Sequence, residues 1–421
     1  MRKIILTFIL LIIFSSVVNA ADKNFETEEM RLMCALSSLA AYSDDQGYLA
    51  RQILISRGWT VYNLTDKKNS VYVKAYLIGK KISDDKSAKI LVITETEDLK
   101  DVEVNFRLGG VTFHKDVSDG IFVHRGFRDY ADASLSGGIA EYLIDELNSN
   151  PNETLYVTGH SLGGAVAMVT AARLSDMGID KDRIKVITFG ALAVGNKTFA
   201  KFYDDKIDLT RIEIKGDVVR KIFEPFGYVQ FGDDVKYKPV KDSEQYEHKM
   251  TLYLDCAIRN YFDAGGFDFP EIISDNKIDT SVYVAPLKFL TETVNPKDQK
   301  YLQALIRNGL TARFTNVHFA EPNYIEVESV DEISNGVFRI IDDAQKVGCK
   351  YVLLQLISAE RVRDATDNTR QVILYEYLYT ADGTPIFMQT SGMPNKKVTL
   401  LEAAIFAQEN LRSKLEEAVK D

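Results

Sequence analysis

The run TLYVTGHSLGGAVAMVTAARL, Thr154 to Leu174, constrains the fold more than any other stretch of the chain. Leu155 to Thr158 has the residues of a strand, and the alanine-rich Ala165 to Leu174 those of a helix. Only Gly159-His160-Ser161-Leu162-Gly163-Gly164 separates them. A strand that becomes a helix so abruptly brings two backbones close together, and glycine is the residue that allows this. The turn therefore belongs to a sheet whose strands are joined through helices.

The rest of the first half repeats that alternation. SVYVKAYLIG and AKILVITET read as strands, followed by GIFVHRGFRDYAD and a helix from about Leu135 to Leu147. DRIKVITFG and LTRIEIKGD are further buried-type strands, separated by the helical NKTFAKFYDD. An amphipathic helix from Glu26 to Tyr42 opens the unit and a helix from Glu247 to Phe262 closes it. Strands alternating with helices predict an α/β fold with a mostly parallel central sheet. DAGGFDFPEIISDNK, with Gly265, Gly266 and Pro270, reads as a linker. Beyond it the pattern restarts: a strand in TSVYVAPLKFL, helices over Lys297 to Phe314 and Asp331 to Val347, strands in CKYVLLQLISAERV and RQVILYEYLYTADGTPIFMQ, and a helix from Leu400 to Val419. The last strands turn at Asp382-Gly383, a hairpin signal. The expected organisation is a unit over 21–264, a linker over 265–277, and a smaller C-terminal α/β domain over 278–421.

Two or three units suit a chain of 421 residues, which is longer than one core usually serves. With 46% hydrophobic and 27% charged residues the composition is that of a globular protein. A net charge of -10 argues against nucleic acid as a partner and disfavours strongly anionic membrane surfaces. Residues 1–20 place Arg2 and Lys3 before an apolar run from Ile4 to Phe14 and end on Val18 and Ala20, the layout of a secretory signal peptide. The run is shorter than the roughly 20 residues that a membrane span needs. The mature protein is expected to be secreted or periplasmic.

Gly159 to Gly163 also fit the pattern G-x-S-x-G, in which a strained turn presents a serine hydroxyl at the edge of a sheet. The following helix directs its positive dipole end at that point. A serine hydroxyl is a weak nucleophile until a positioned base takes its proton, so a histidine and an orienting carboxylate are required. The histidines are His114, His124, His160, His248 and His318. The order serine, acid, histidine leaves His248 and His318. His318 falls in the second unit, whereas His248 stands at the start of the helix that closes the first, which makes it the preferred base. Asp217 directly follows the strand in RIEIKGD, at the carboxyl edge where such sheets assemble sites, and is the expected acid. Asp204, Asp205 and Asp208 read as solvated surface, and His124 and His160 as packing or structural hydrogen-bonding residues. No HExxH, no clustered Cys and His and no phosphate loop occurs, so no metal or cofactor is implied.

VTGHSLGGAVA, VITFGALAVGN, RIEIKGDVVRKI, HKMTLYL and VHRGF follow one another in an order and spacing that resembles the class 3 lipases, a branch of the α/β-hydrolases, over about residues 26–262. That resemblance implies an α/β-hydrolase fold and an ester hydrolase acting on lipids through an acyl-enzyme, with Ser161 as nucleophile, Asp217 as acid and His248 as base. It aligns Thr96 with an oxyanion-hole hydroxyl residue, although ITET, Ile93 to Thr96, stands where the family carries Phe-Arg-Gly-Thr or Phe-Arg-Gly-Ser. The second donor would be the backbone N–H of Leu162. The segment EDLKDVEVNF follows where the family's lid begins, and Leu99, Val102 and Phe106 share one face of a short helix. The resemblance further implies a disulfide between Cys34 and Cys256, with Cys349 left free, and transient contact with a lipid surface.

The C-terminal domain resembles the small α/β domains of bacterial envelope proteins and is a candidate for binding a protein partner. The departure at ITET sets up the contrary expectation, a non-catalytic lipid- or partner-binding protein built on a degenerate domain. A peptidase or thioesterase could use the same three residues, since they set reaction type and not acyl group.

Overall fold

The computed structural model describes residues 24–68, 71–82, 86–94, 110–115, 119–240, 247–268, 276–290, 294–320, 333–361, 370–394 and 399–420. The expected signal peptide, the oxyanion residue Thr96 and the segment Glu97 to Phe106 lie outside these residues.

Helices α1 (24–40) and α2 (Asp45–Ser56) precede strands β1 (Thr60–Asn63), β2 (Asp66–Lys68), β3 (Val71–Lys81) and β4 (Ser87–Thr94). A small hairpin of β5 (Gly110–Thr112) and β6 (Phe122–His124) leads to α3 (Arg125–Ser134) and α4 (Ile139–Ser149). Then come β7 (Glu153–His160), α5 (Leu162–Asp176), β8 (Ile184–Phe189), α6 (Lys197–Tyr203), β9 (Asp208–Ile214), β10 (Asp233–Tyr237) and α7 (Met250–Asp263). The first sheet runs β1-β3-β4-β7-β8-β9-β10, with β2 on the remaining part of β3. From β4 to β10 every pairing is parallel, as the alternation in the sequence predicts, while β3 is antiparallel to β1 and β4. Strand β7 lies in the middle of the sheet and is buried on both faces from Val157 to His160, the usual state of a parallel strand covered by helices.

Two cores flank this sheet. One, with Phe127, Tyr130, Leu143, Val166, Met168 and Tyr203, fills the space beneath α3 to α6. Helix α5 is buried all round from Leu162 to Ala172, and its many glycines and alanines let it lie close to the strands. The other core gathers α1, α2 and α7 on the opposite face and does not stop at the sheet's limits. It continues through Leu302, Leu305, Leu353, Leu374 and Phe406 into the second half of the chain.

That half contains β11 (Ile278–Val284), β12 (Lys288–Phe289), α8 (Pro296–Thr311), β13 (Phe314–Phe319), α9 (Ile333–Lys346), β14 (Tyr351–Arg361), β15 (Arg370–Thr380), β16 (Pro385–Pro394) and α10 (Leu400–Ala418). Its sheet runs β13-β11-β14-β15-β16, with β12 on β14, and is parallel at one end and a meander at the other. Polar ties accompany the shared core. The Arg259 guanidinium of α7 holds Asp255 at 2.7 Å and Asp298 of α8, Tyr301 donates to Asp263 at 2.7 Å, and Arg412 of α10 donates to the carbonyl of Gln52 in α2 at 3.3 Å.

The expected Cys34–Cys256 disulfide is not formed; all three cysteines are buried free thiols. The two side chains face different surroundings. Cys34 hydrogen-bonds to Thr158 in the sheet, whereas Cys256 lies beside Asp255 and Arg259. Burial raises both thiols above their ordinary range, which keeps them protonated and unreactive.

Phe406 is fully buried within the core that spans both sheets. Phe406→Ala is expected to cost about 3 to 5 kcal/mol. In a calorimetric scan the loss should lower a single unfolding transition, since both sheets share the damaged core. Two separated transitions, only one of them moved, would show that the sheets unfold independently.

Candidate active site

The site grows out of the end of β7. Ser161 has φ 57° and ψ -121°, and it is the single non-glycine residue with positive φ among the described residues. Such a backbone costs on the order of 1 to 3 kcal/mol and persists only where its surroundings hold it. Here the Ser161 N–H donates to the carbonyl of Phe189 in β8 at 2.9 Å, and the Ser161 carbonyl accepts from Ala165 N–H at 3.2 Å. The flanking glycines are sterically required. A Cβ at Gly159 would sit 2.4 Å from the carbonyl carbon of Gly163, and one at Gly163 would sit 2.2 Å from the carbonyl oxygen of Ile93. The close approach expected from the sequence is thus a contact between β4, β7 and the first turn of α5.

His248 lies in the loop just before α7, and its Nε2 is 2.7 Å from Ser161 Oγ. Its Nδ1 is 2.7 Å from Asp217 Oδ2. Asp217 follows β9 and is buried, as are Ser161 and His248. Burial alone would push the Asp217 carboxyl up. The hydrogen bond and charge of His248, with hydrogen bonds from the Tyr253 hydroxyl and the Val219 N–H, outweigh it and hold the group below the usual carboxylate range. The Tyr253 hydroxyl donates to Oδ2 at 2.6 Å and the Val219 N–H to Oδ1 at 2.9 Å. The structure therefore brings Ser161, His248 and Asp217 into one hydrogen-bonded chain, with Leu162 beside them as the first residue of α5.

The other candidates are scattered. His318 lies on β13, paired with Tyr283 in the second sheet. His114 forms a half-exposed pair with Asp119 and Asp176. His124 caps α3 through Gly126 N–H, and burial lowers its imidazole to about 4. Asp204 and Asp205 are exposed. Among the described residues no group of His, Cys, Asp and Glu gathers in a metal-binding arrangement.

Residues 90–226 match the family model described as Lipase (class 3). This part of the chain is similar to the class 3 lipases. The chain is 42% identical over 83 residues to a lipase of Caenorhabditis elegans, a match covering 19% of this chain and 24% of that protein. It is 33% identical over 144 residues to secreted mono- and diacylglycerol lipase 1 of Fusarium solani, covering 32% and 41%. The chain thus spans less than half the length of these relatives. Among solved structures, the triacylglyceride lipase of Rhizomucor miehei aligns with a TM-score of 0.41 at 20% identity, over 52% of this chain and 82% of that one.

Two residues of the site escaped the sequence reading. Tyr253 stands one turn into α7, five positions after His248, and a buried hydroxyl at that spacing is its only signal. Gly190 follows β8 with φ +57°, and a Cβ there would lie 2.7 Å from Asp217 Oδ2, 2.8 Å from the Tyr253 hydroxyl and 3.1 Å from His248 Nδ1. Its signal is the final residue of VITFG.

Gly190→Ala is expected to cost about 1 to 3 kcal/mol in urea unfolding, because the methyl group must displace the carboxylate or the tyrosine. Tyr253→Phe removes one donor from a buried carboxylate and should cost about 1.5 to 3 kcal/mol near neutral pH. Asp217 has a depressed folded pKa, so its contribution is present above the unfolded carboxylate value of about 3.9 and is lost as pH falls through the folded one. The gap between wild type and Tyr253→Phe should therefore narrow in unfolding curves taken below about pH 4.

Proposed function

We propose that the protein is an exported serine hydrolase that cleaves carboxylic ester bonds of lipids through an acyl-enzyme. The observation that carries this reading is the unbroken chain from Ser161 Oγ through His248 to Asp217, two contacts of 2.7 Å each. Ser161 Oγ attacks the ester carbonyl carbon while His248 Nε2 takes its proton. The tetrahedral oxyanion forms at the N-terminus of α5, where the Leu162 N–H and the helix dipole stabilise it. Thr96 is the expected second donor. As the carbonyl reforms, the C–O bond to the alcohol breaks and the leaving oxygen takes the proton from His248 Nε2. Water then repeats the sequence on the acyl-enzyme, releasing the acid and Ser161. Asp217 stays ionised throughout, holding Nδ1 protonated and aiming Nε2 at the serine. Its low pKa suits that role.

The lipid part of the reading is supported by the family of residues 90–226 and by relatives named as a mono- and diacylglycerol lipase of Fusarium solani and a phospholipase A1 of Oryza sativa. Acyl glycerols and phospholipids are accordingly the substrates proposed. Export rests on the layout of residues 1–20 and on the printed name of the secreted Fusarium protein. The hydrolase unit is taken as residues 21–264, with residues 278–421 as a second unit.

Hydrolysis of p-nitrophenyl esters from acetate to palmitate by the chain from residue 21 onward tests this. Ser161→Ala is expected to lower kcat by roughly a thousandfold or more, and Asp217→Asn by about 10⁴-fold through loss of the correct imidazole tautomer. Turnover that survives in Ser161→Ala would place the chemistry elsewhere. Lipid binding without any turnover by wild type would favour the non-catalytic expectation.

A further inference from the structure

The serine turn contains a second imidazole that the mechanism above leaves idle. His160, the last residue of β7, is buried, and its ring lies 4.7 Å from that of His248. Its Nε2 is 2.7 Å from the backbone carbonyl oxygen of His248, and its Nδ1 is 2.7 Å from the hydroxyl of Tyr42. A carbonyl can only accept, so Nε2 carries the proton and donates it there. Nδ1 is then the acceptor, and the Tyr42 hydroxyl donates to it. The two partners fix one tautomer. Burial, with the neighbouring His248 ring, lowers the His160 imidazole to about 3, so it stays neutral and the arrangement survives wherever an esterase would work.

Three distant parts of the chain meet in this contact: Tyr42 just past α1, His160 at the end of β7, and the loop that presents His248 before α7. His160 is also bonded directly to Ser161. One ring therefore touches the nucleophile through the backbone and the base through a hydrogen bond. We propose that His160, oriented by Tyr42, is a positioning residue that clamps the backbone of His248 and so sets the distance from its Nε2 to Ser161 Oγ. This rests on the triad reading of Ser161, His248 and Asp217.

The test compares wild type, Ser161→Ala, His160→Phe, His160→Gln and Tyr42→Phe in labelling by a fluorophosphonate and in turnover of a soluble short-chain p-nitrophenyl ester. Wild type should be labelled and Ser161→Ala should not. His160→Phe should lower kcat and the labelling rate by about tenfold to a hundredfold, the scale of a small misplacement of reacting groups. KM should stay within about twofold, since ground-state binding is untouched. His160→Gln keeps an N–H donor and a carbonyl acceptor and should recover most of the loss. Tyr42→Phe, which removes only a hydroxyl, should show a smaller fall in kcat. It carries the test if His160→Phe does not fold.

Wild-type kcat in Tyr42→Phe or His160→Phe would overturn the clamp and leave the triad standing. A loss of kcat, KM and melting temperature together, without rescue by glutamine, would reduce His160 to a folding role and equally overturn it. Absence of labelling in wild type itself would overturn the hydrolase reading, and this inference with it.

Discussion

The carbonyl oxygen of Ile93 presses on the first turn of α5 so closely that no side chain fits at Gly163, and the same crowding excludes one at Gly159. Most of the site follows from that contact. With β4, β7 and α5 locked together, the residue between the last two has nowhere to go except the strained conformation of Ser161. The hydrogen bond from its N–H to Phe189 then fastens the turn to β8, whose next residue, Gly190, leaves room for the carboxylate and the tyrosine. Backbone packing thus positions the hydroxyl before any side-chain chemistry is considered.

Among the described residues, no arginine or lysine pairs with Asp217. Asp217 takes its stabilisation from an imidazole, a phenol and one backbone N–H, all within 2.9 Å. Hydrogen bonds from these groups, with the charge of His248, outweigh burial and hold the carboxyl below its usual range. A buried guanidinium beside the acid would compete with His248 for it.

Much of this arrangement was legible in the chain. Parallel strands flanked by helices showed themselves as apolar runs separated by helical stretches, and Ser161, Asp217 and His248 each stand at a recognisable boundary of such a run. What escaped depended on long-range packing. Strand β13, FTNVHF, begins at Phe314, where the expected helix from Lys297 ends, and Thr315, Asn316 and His318 dilute its apolar signal, so that only pairing with β11 makes it a strand. The edge strand β10, DDVKY, is nearly as polar and likewise owes its form to β9. Tyr253, Gly190 and the contact from Tyr42 to His160 are invisible locally, since each matters only through residues dozens of positions away. The disulfide rested on the resemblance alone, and Cys34 and Cys256 are both buried free thiols.

The core that runs from α7 into α8 and α10 gives the second half of the chain a meaning beyond its own sheet. Ile258, Tyr261 and Phe262 sit in the same apolar cluster as Tyr301, Leu302 and Phe406, and Arg259 spends its charge on Asp298 across the seam. Helix α7 is also the element that follows His248 and carries Tyr253. The later helices therefore act as a buttress. A chain cut at the linker would present a greasy, charge-mismatched flank to water, directly behind the residues that hold the imidazole and the carboxylate.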